Sequence, residues 1–288
     1  MLIGRRDTGQ RRSIPGPLRR ALKSSRLAAA RADAGRRPLP DFLVIGGQRC
    51  GTTSLFRYIA QHPGVVRPAL DKGIHYFDTN YTNGVGWYRA HFPRSKGSRL
   101  AFEASPYYLF HPLIPARIAS LIPDAKLITV LRDPVARAVS HHNHERARGF
   151  EDLDLLDAIE AEPGRMAGEI EKMVTDPGYV SYAHQHYSYV GRGRYADQLE
   201  RYQALFPADR LLVLDSDELS REPATAMGRV TDFLGLDPLT GGTYDKWNGY
   251  RYDKGDDEVR ARLAEAFADS DARLPTLLGW TPEWMASS

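Results

Sequence analysis

The chain has 288 residues and 42% hydrophobic content, enough to bury one sizeable core, and its single cysteine, Cys50, excludes a disulfide within it. The formal net charge of +3 is unevenly divided: residues 1–40 carry eleven Arg and Lys against two Asp, net +9, leaving 28 basic and 34 acidic residues, net −6, in the remainder. A mildly acidic domain is not expected to bind nucleic acid, and no apolar run approaches the roughly 20 residues that cross a bilayer. The basic segment, residues 1–40, is broken by Pro15, Pro17, Pro38 and Pro40 and is expected to be a disordered tail apart from a helix over Leu18 to Ala34. Leu18, Leu22 and Ala29 give that helix a thin apolar face among arginines, so two readings stay open: a solvated tail, or weak contact with an anionic membrane surface. The tail lacks the apolar core of a secretory signal, and with the lone cysteine this predicts a cytoplasmic protein. Its Arg and Ala richness points to a GC-rich bacterial genome.

Residues 41–288 are expected to form one domain. Phe42 to Ile45 is a short apolar run of the kind buried on both faces of a parallel sheet, and Gly46 and Gly47 end it in a turn. A helix beginning near Thr52 carries Leu55, Phe56 and Ile59 at helical spacing, so its free N–H groups and positive dipole end face what the loop encloses. That is an anion cradle. Its spacing is nearly that of a nucleotide-binding P-loop, but Thr52 stands where the lysine that reaches the β and γ phosphates is required, and the cation lies inside the loop as Arg49.

Strands are expected over Arg99 to Ala104, Leu127 to Leu131 and Arg210 to Asp215, with helices over Leu113 to Ile122, Gly193 to Phe206 and Glu222 to Leu234. The alternation implies an α/β fold, a mostly parallel sheet covered on both faces. Arg132 ends one of these strands, Asp133 and Pro134 start the next helix, and Ser140 lies eight residues beyond Arg132. Ligands of open α/β sheets bind at the carboxyl ends of strands, which sets Arg132 and Ser140 in the same crevice as the Gly46 to Thr53 loop. Asp152 to Asp176 reads as acidic and helical, interrupted at Pro163-Gly164, and as a flap beside that crevice.

These motifs together resemble the PAPS-dependent sulfotransferases, particularly the bacterial and heparan-sulfate-type carbohydrate branch, over most of residues 41–288. The resemblance implies the P-loop-like sulfotransferase fold. It implies that Arg49, Cys50, Gly51, Thr52, Thr53 and Ser54 bind the 5′-phosphate of 3′-phosphoadenosine-5′-phosphosulfate (PAPS), and that Arg132 and Ser140 grip its 3′-phosphate. Many members have lysine where this chain has Arg49. The segment Lys72-Gly73-Ile74-His75-Tyr76-Phe77-Asp78 is similar to the family segment that contributes the general base, and Phe102 to Tyr108 to its next strand and loop. Gly193 to Leu199, Phe233 to Leu236 and Gly279 to Trp284 match later elements, and Gly249, Tyr250 and Arg251 fall where members fold a loop over the nucleotide.

One departure matters. The residue two before the histidine, a glutamate in the heparan-sulfate branch, is Gly73 here and cannot take a proton. His75 is the first choice of base, Glu103 the second and Asp71 the third, with Lys72 or Arg49 carrying the leaving-group charge. The expected reaction is metal-independent, in-line transfer of a sulfuryl group from PAPS to a hydroxyl or amine of a carbohydrate, glycolipid or small molecule. A P-loop kinase or NTPase and a catalytically silent PAP-binding protein are the alternatives. His141, His142, His144 and Glu145 look like metal ligands, but only His141 and Glu145 share a helix face, and no metal is expected. Nothing in the sequence fixes the acceptor or the oligomeric state.

Overall fold

The computed structural model describes residues 16–69, 72–245 and 256–286. Helix α1 (Gly16–Arg31) precedes β1 (Phe42–Gly46), α2 (Thr52–Ile59), β2 (Val65–Val66), α3 (Val85–Arg89), β3 (Leu100–Ala104), α4 (Ile114–Leu121), β4 (Lys126–Leu131) and α5 (Pro134–Ala147). Helices α6 (Leu155–Met166), α7 (Glu169–Thr175), α8 (Tyr182–His186) and α9 (Tyr195–Gln203) follow, then β5 (Leu211–Asp215), α10 (Ser216–Arg221), α11 (Pro223–Leu234), α12 (Asp257–Leu278) and α13 (Glu283–Ala286).

The five strands form one sheet in the order β2-β3-β1-β4-β5, and every neighbouring pair is parallel. Alternation along β1 sorts its side chains to two faces. Leu43 and Ile45 enter a core with Tyr88, Ile118, Leu199 and Leu274, from α3, α4, α9 and α12. Phe42 and Val44 enter a second core with Leu55, Ile59, Leu219 and Val230, from α2, α10 and α11. All five residues of β1 are buried, and each large apolar side chain so buried contributes about 1.5–3 kcal/mol, which places this strand at the centre of the sheet. The expected α/β fold with a parallel sheet covered on both faces is observed.

Because β1 and β4 are neighbours, the loops leaving their carboxyl ends open side by side. Gly46 permits the turn out of β1, since a Cβ there would lie 2.6 Å from the Leu109 Cβ. After β4, Asp133 caps α5 by accepting from the backbone N–H groups of Val135 and Ala136 at 3.0 and 3.3 Å, and Pro134 occupies the first turn.

Three sequence expectations are adjusted. Residues 33–37, assigned to the tail, are bonded to the domain: Arg37 pairs with Asp33 at 2.7 Å and donates to the Phe92 carbonyl at 2.6 Å, and α1 ends at Arg31, short of Ala34. Pro163-Gly164 does not interrupt the acidic helix. Pro163 lies inside α6, near its carboxyl end, where it removes one N–H from the helix ladder without ending it, and the break comes at Gly168, whose φ of 72° lies in the left-handed region that suits glycine. The helix expected from Gly193 starts at Tyr195, after a tight turn over Gly191–Gly193.

Candidate active site

The loop from Gly47 to Gly51 wraps the amino end of α2. Gly51 has φ 95°, and no side chain among the described residues caps the helix, so the first-turn N–H groups of Thr52, Thr53 and Ser54 remain for an anion. This is the observation that fits a phosphate to the cradle. Arg49, itself at φ 70°, donates from Nε to the Ser140 hydroxyl at 3.1 Å, and Arg132 Nη1 donates to the Arg49 carbonyl at 3.4 Å. The two expected phosphate-binding motifs, 91 residues apart for Arg49 and Ser140, thus meet directly. Cys50 is fully buried beside Tyr195, and burial pushes its thiol pKa up, so it serves as a small packed side chain.

Lys72 reaches the same cradle, donating to Thr53 Oγ1 at 2.8 Å. Burial and the nearby Arg57 charge lower its pKa to about 8. Bound phosphate would raise it again by favouring the ammonium.

His75 is the other polar focus. Its φ of 54° is left-handed, a conformation that costs a non-glycine residue about 1–3 kcal/mol and persists only where neighbours impose it. Its N–H donates to the Ser105 hydroxyl at 3.1 Å, and its carbonyl accepts from Asn80 through the backbone at 3.0 Å and the side-chain amide at 3.1 Å. Nδ1 lies 2.6 Å from Asp78 Oδ2, a fully shielded carboxylate whose other oxygen accepts the Thr79 N–H at 2.5 Å. Burial disfavours the imidazolium, but the Asp78 bond and the charges of Asp78 and Glu103 outweigh it and raise the His75 pKa above its ordinary value. With Nδ1 engaged, Nε2 is the nitrogen that exchanges a proton.

Gly73 belongs to this geometry. It sits at φ 75°, and a Cβ there would lie 3.3 Å from His75 Nε2. A glutamate, which the resembling branch has at this position, would therefore bring its Cβ tightly against this imidazole.

Glu103, the second choice of base, is fully buried. Its Oε1 accepts from Tyr88 and Tyr108 at 3.0 and 2.8 Å, and Oε2 has no hydrogen-bond partner among the described residues. Burial, only partly offset by the two tyrosines, raises its pKa to about 7. Enclosed in this way, it bears on the site through the Tyr108 loop and the field at His75, not by contact with an acceptor. Asp71, Gly249, Tyr250 and Arg251 lie outside the described residues.

Sequence reasoning assigned no role to Asp78, Ser105 or Gln48. Asp78, three residues past His75, was legible only as part of the motif, and Ser105 carries no local signal because its partner is 30 residues away. The histidine-rich stretch of α5 resolves into an internal network: His141 lies 3.5 Å from Glu145, which accepts from His186 Nδ1 at 2.7 Å. Among the described residues no group of three or more His, Cys, Asp or Glu is placed to hold a metal ion.

A parallel sheet with an uncapped helix over a glycine loop, arginines from two adjacent strand ends and no P-loop lysine defines a sulfotransferase-type anion site. The sulfotransferase domain family model matches residues 39–251, and the chain belongs to that family. Among curated relatives, the human heparan sulfate glucosamine 3-O-sulfotransferase 3A1 is 33% identical over 204 residues, 71% of this chain and 46% of that protein. The mouse bifunctional heparan sulfate N-deacetylase/N-sulfotransferase 4 is 31% identical over 276 residues, 83% of this chain and 30% of that protein. The chain thus spans less than half the length of these two relatives. A crystal structure of a sulfotransferase from Alicyclobacillus acidocaldarius superposes with a TM-score of 0.69 at 27% identity, covering 86% of this chain and 99% of that one. Family membership and Thr52 in the lysine position together set aside the kinase alternative.

Proposed function

We propose that this chain transfers a sulfuryl group from PAPS to a hydroxyl or amine of a carbohydrate. The convergence of Arg49, Ser140, Arg132 and Lys72 on one uncapped helix end carries the reading. The α2 N–H groups, Arg49 and Lys72 would hold the 5′-phosphosulfate, while Arg132 and Ser140 would hold the 3′-phosphate. PAPS supplies an activated sulfuryl group. With the donor bound, His75 Nε2 would take the acceptor's proton, Asp78 would steady the imidazolium, and Lys72 and Arg49 would neutralise the charge left on the phosphate oxygen. The activities named for the relatives, a heparan sulfate glucosamine 3-O-sulfotransferase and a heparan sulfate N-deacetylase/N-sulfotransferase, support an acceptor of the heparan sulfate kind. The lone cysteine, which needs no oxidising compartment, supports a cytoplasmic location.

The test is calorimetry with adenosine 3′,5′-bisphosphate (PAP), with and without magnesium, followed by PAPS turnover on glucosamine-containing oligosaccharides. Wild-type protein is expected to bind PAP equally in both buffers. Arg132→Ala, which removes a charge-assisted contact, should weaken binding about ten- to hundredfold. No PAP binding, or preference for Mg-ATP, would overturn the proposal.

A further inference from the structure

Arg192 lies in the tight turn before α9, 144 residues from the cradle loop in sequence, yet its side chain is buried against that loop. Its acceptors are all neutral oxygens. Nε donates to the Ser188 hydroxyl at 2.8 Å, Nη2 to the His184 and Gln185 carbonyls at 3.0 and 2.7 Å, and Nη1 to the side-chain oxygen of Gln48. The guanidinium also stacks over the rings of Tyr107 and Phe110, 4.8 and 5.2 Å from their centroids. Keeping a guanidinium in so buried a place costs several kcal/mol unless its donors are satisfied, and four of the five N–H groups are spent here in a fixed fork.

Gln48 directly precedes Arg49 in the loop and is half-buried. An arginine donates and cannot accept, so the end of the Gln48 amide facing it must be the oxygen. The NH2 group is then the end turned away from Arg192, on the residue next to Arg49. Without Arg192 the amide is free to flip and to turn its oxygen towards an anion, which repels.

We propose that Arg192 is a positioning residue for the sulfuryl donor: by holding the Gln48 oxygen it fixes an N–H donor at the phosphate cradle, adding to the contacts made by Arg49 and the start of α2. The Tyr107 ring beneath the guanidinium follows Ser105, which holds His75, so the same side chain also braces the base-bearing loop. The inference rests on the donor reading above, and wild-type PAP binding separates the two: if wild-type protein binds no PAP, that reading itself fails.

The experiment is a double-mutant cycle on PAP affinity, measured by calorimetry with Gln48→Ala, Arg192→Met and the double variant, and the unfolding temperature of each recorded. Each single variant is expected to weaken PAP about tenfold, and the double variant no more than either alone. Arg192→Lys, which retains a donor for Gln48, should recover part of the loss. Additive losses, or a Gln48→Ala variant that binds like wild type, would overturn the proposal. Should Arg192→Met not fold, Gln48→Glu decides. A carboxylate cannot donate, so its PAP binding must be weaker than that of Gln48→Ala, and wild-type affinity there would sink the idea.

Discussion

Asp78→Asn isolates the proton chemistry of the site. The substitution keeps the side-chain volume and the Thr79 N–H contact but replaces the charged acceptor 2.6 Å from His75 Nδ1 by a neutral amide. A hydrogen bond to a charged group contributes about 1.5–3 kcal/mol, against about 1 for a neutral pair. With the imidazole 37% exposed, solvent screening places the loss near the lower end, about 1 kcal/mol. Burial pushes the His75 pKa down and Asp78 pushes it up, so the variant histidine should titrate below its wild-type value. NMR titration of the imidazole C–H resonances reads this without any acceptor, and His75→Gln identifies the signal among nine histidines. In turnover, the acidic limb of kcat/KM should move to lower pH. Its plateau should fall about a hundredfold, because the ring is a weaker base and the amide NH2, now facing Nδ1, favours the tautomer that already carries its proton on Nε2. An unchanged His75 titration in Asp78→Asn, or His75→Gln turning over at the wild-type rate, would refute the assignment of the base.

Lys72, with a pKa near 8 in the free protein, should set the alkaline limb of kcat/KM. Lys72→Ala is expected to reduce kcat about 10²- to 10³-fold, the usual loss on removing one stabilising donor, while Lys72→Arg should move the alkaline limb to higher pH in a pH–rate series. Gly73→Ala should destabilise by about 1–2 kcal/mol for its left-handed backbone and slow turnover by pressing on Nε2, and Gly73→Glu should not accelerate it. A faster Gly73→Glu variant would show that the glutamate position is usable after all. Glu151 offers a test away from the site. Burial would raise its pKa, but the paired Arg165, the Leu153 N–H and the Tyr189 hydroxyl lower it to about 2. Its stabilisation is therefore complete above the ordinary 4.5 and fades as pH falls towards 2. Glu151→Gln should lose about 3 kcal/mol near neutrality, and the difference in unfolding temperature from wild type should shrink on acidification.

The order of strands and helices was legible in the sequence because burial on both faces of a parallel sheet demands continuous apolar runs, as in Phe42 to Ile45 and Leu127 to Leu131, with glycine or proline punctuation between elements. The phosphate cradle was legible for the same reason: a glycine turn before a helix is a local backbone statement, and Arg49 and Arg132 sit at fixed offsets from strand ends. The tertiary structure decided what depends on distant partners. It joined Arg49 to Ser140, enclosed Glu103 beneath two tyrosines and so removed it from reach of an acceptor, and set Arg192 against Gln48. It also supplied the reason for Gly73, which no pattern of residue types contains. A left-handed backbone and the space occupied by a neighbouring imidazole are properties of the folded chain, fixed only when Asp78, Asn80 and Ser105 close around His75.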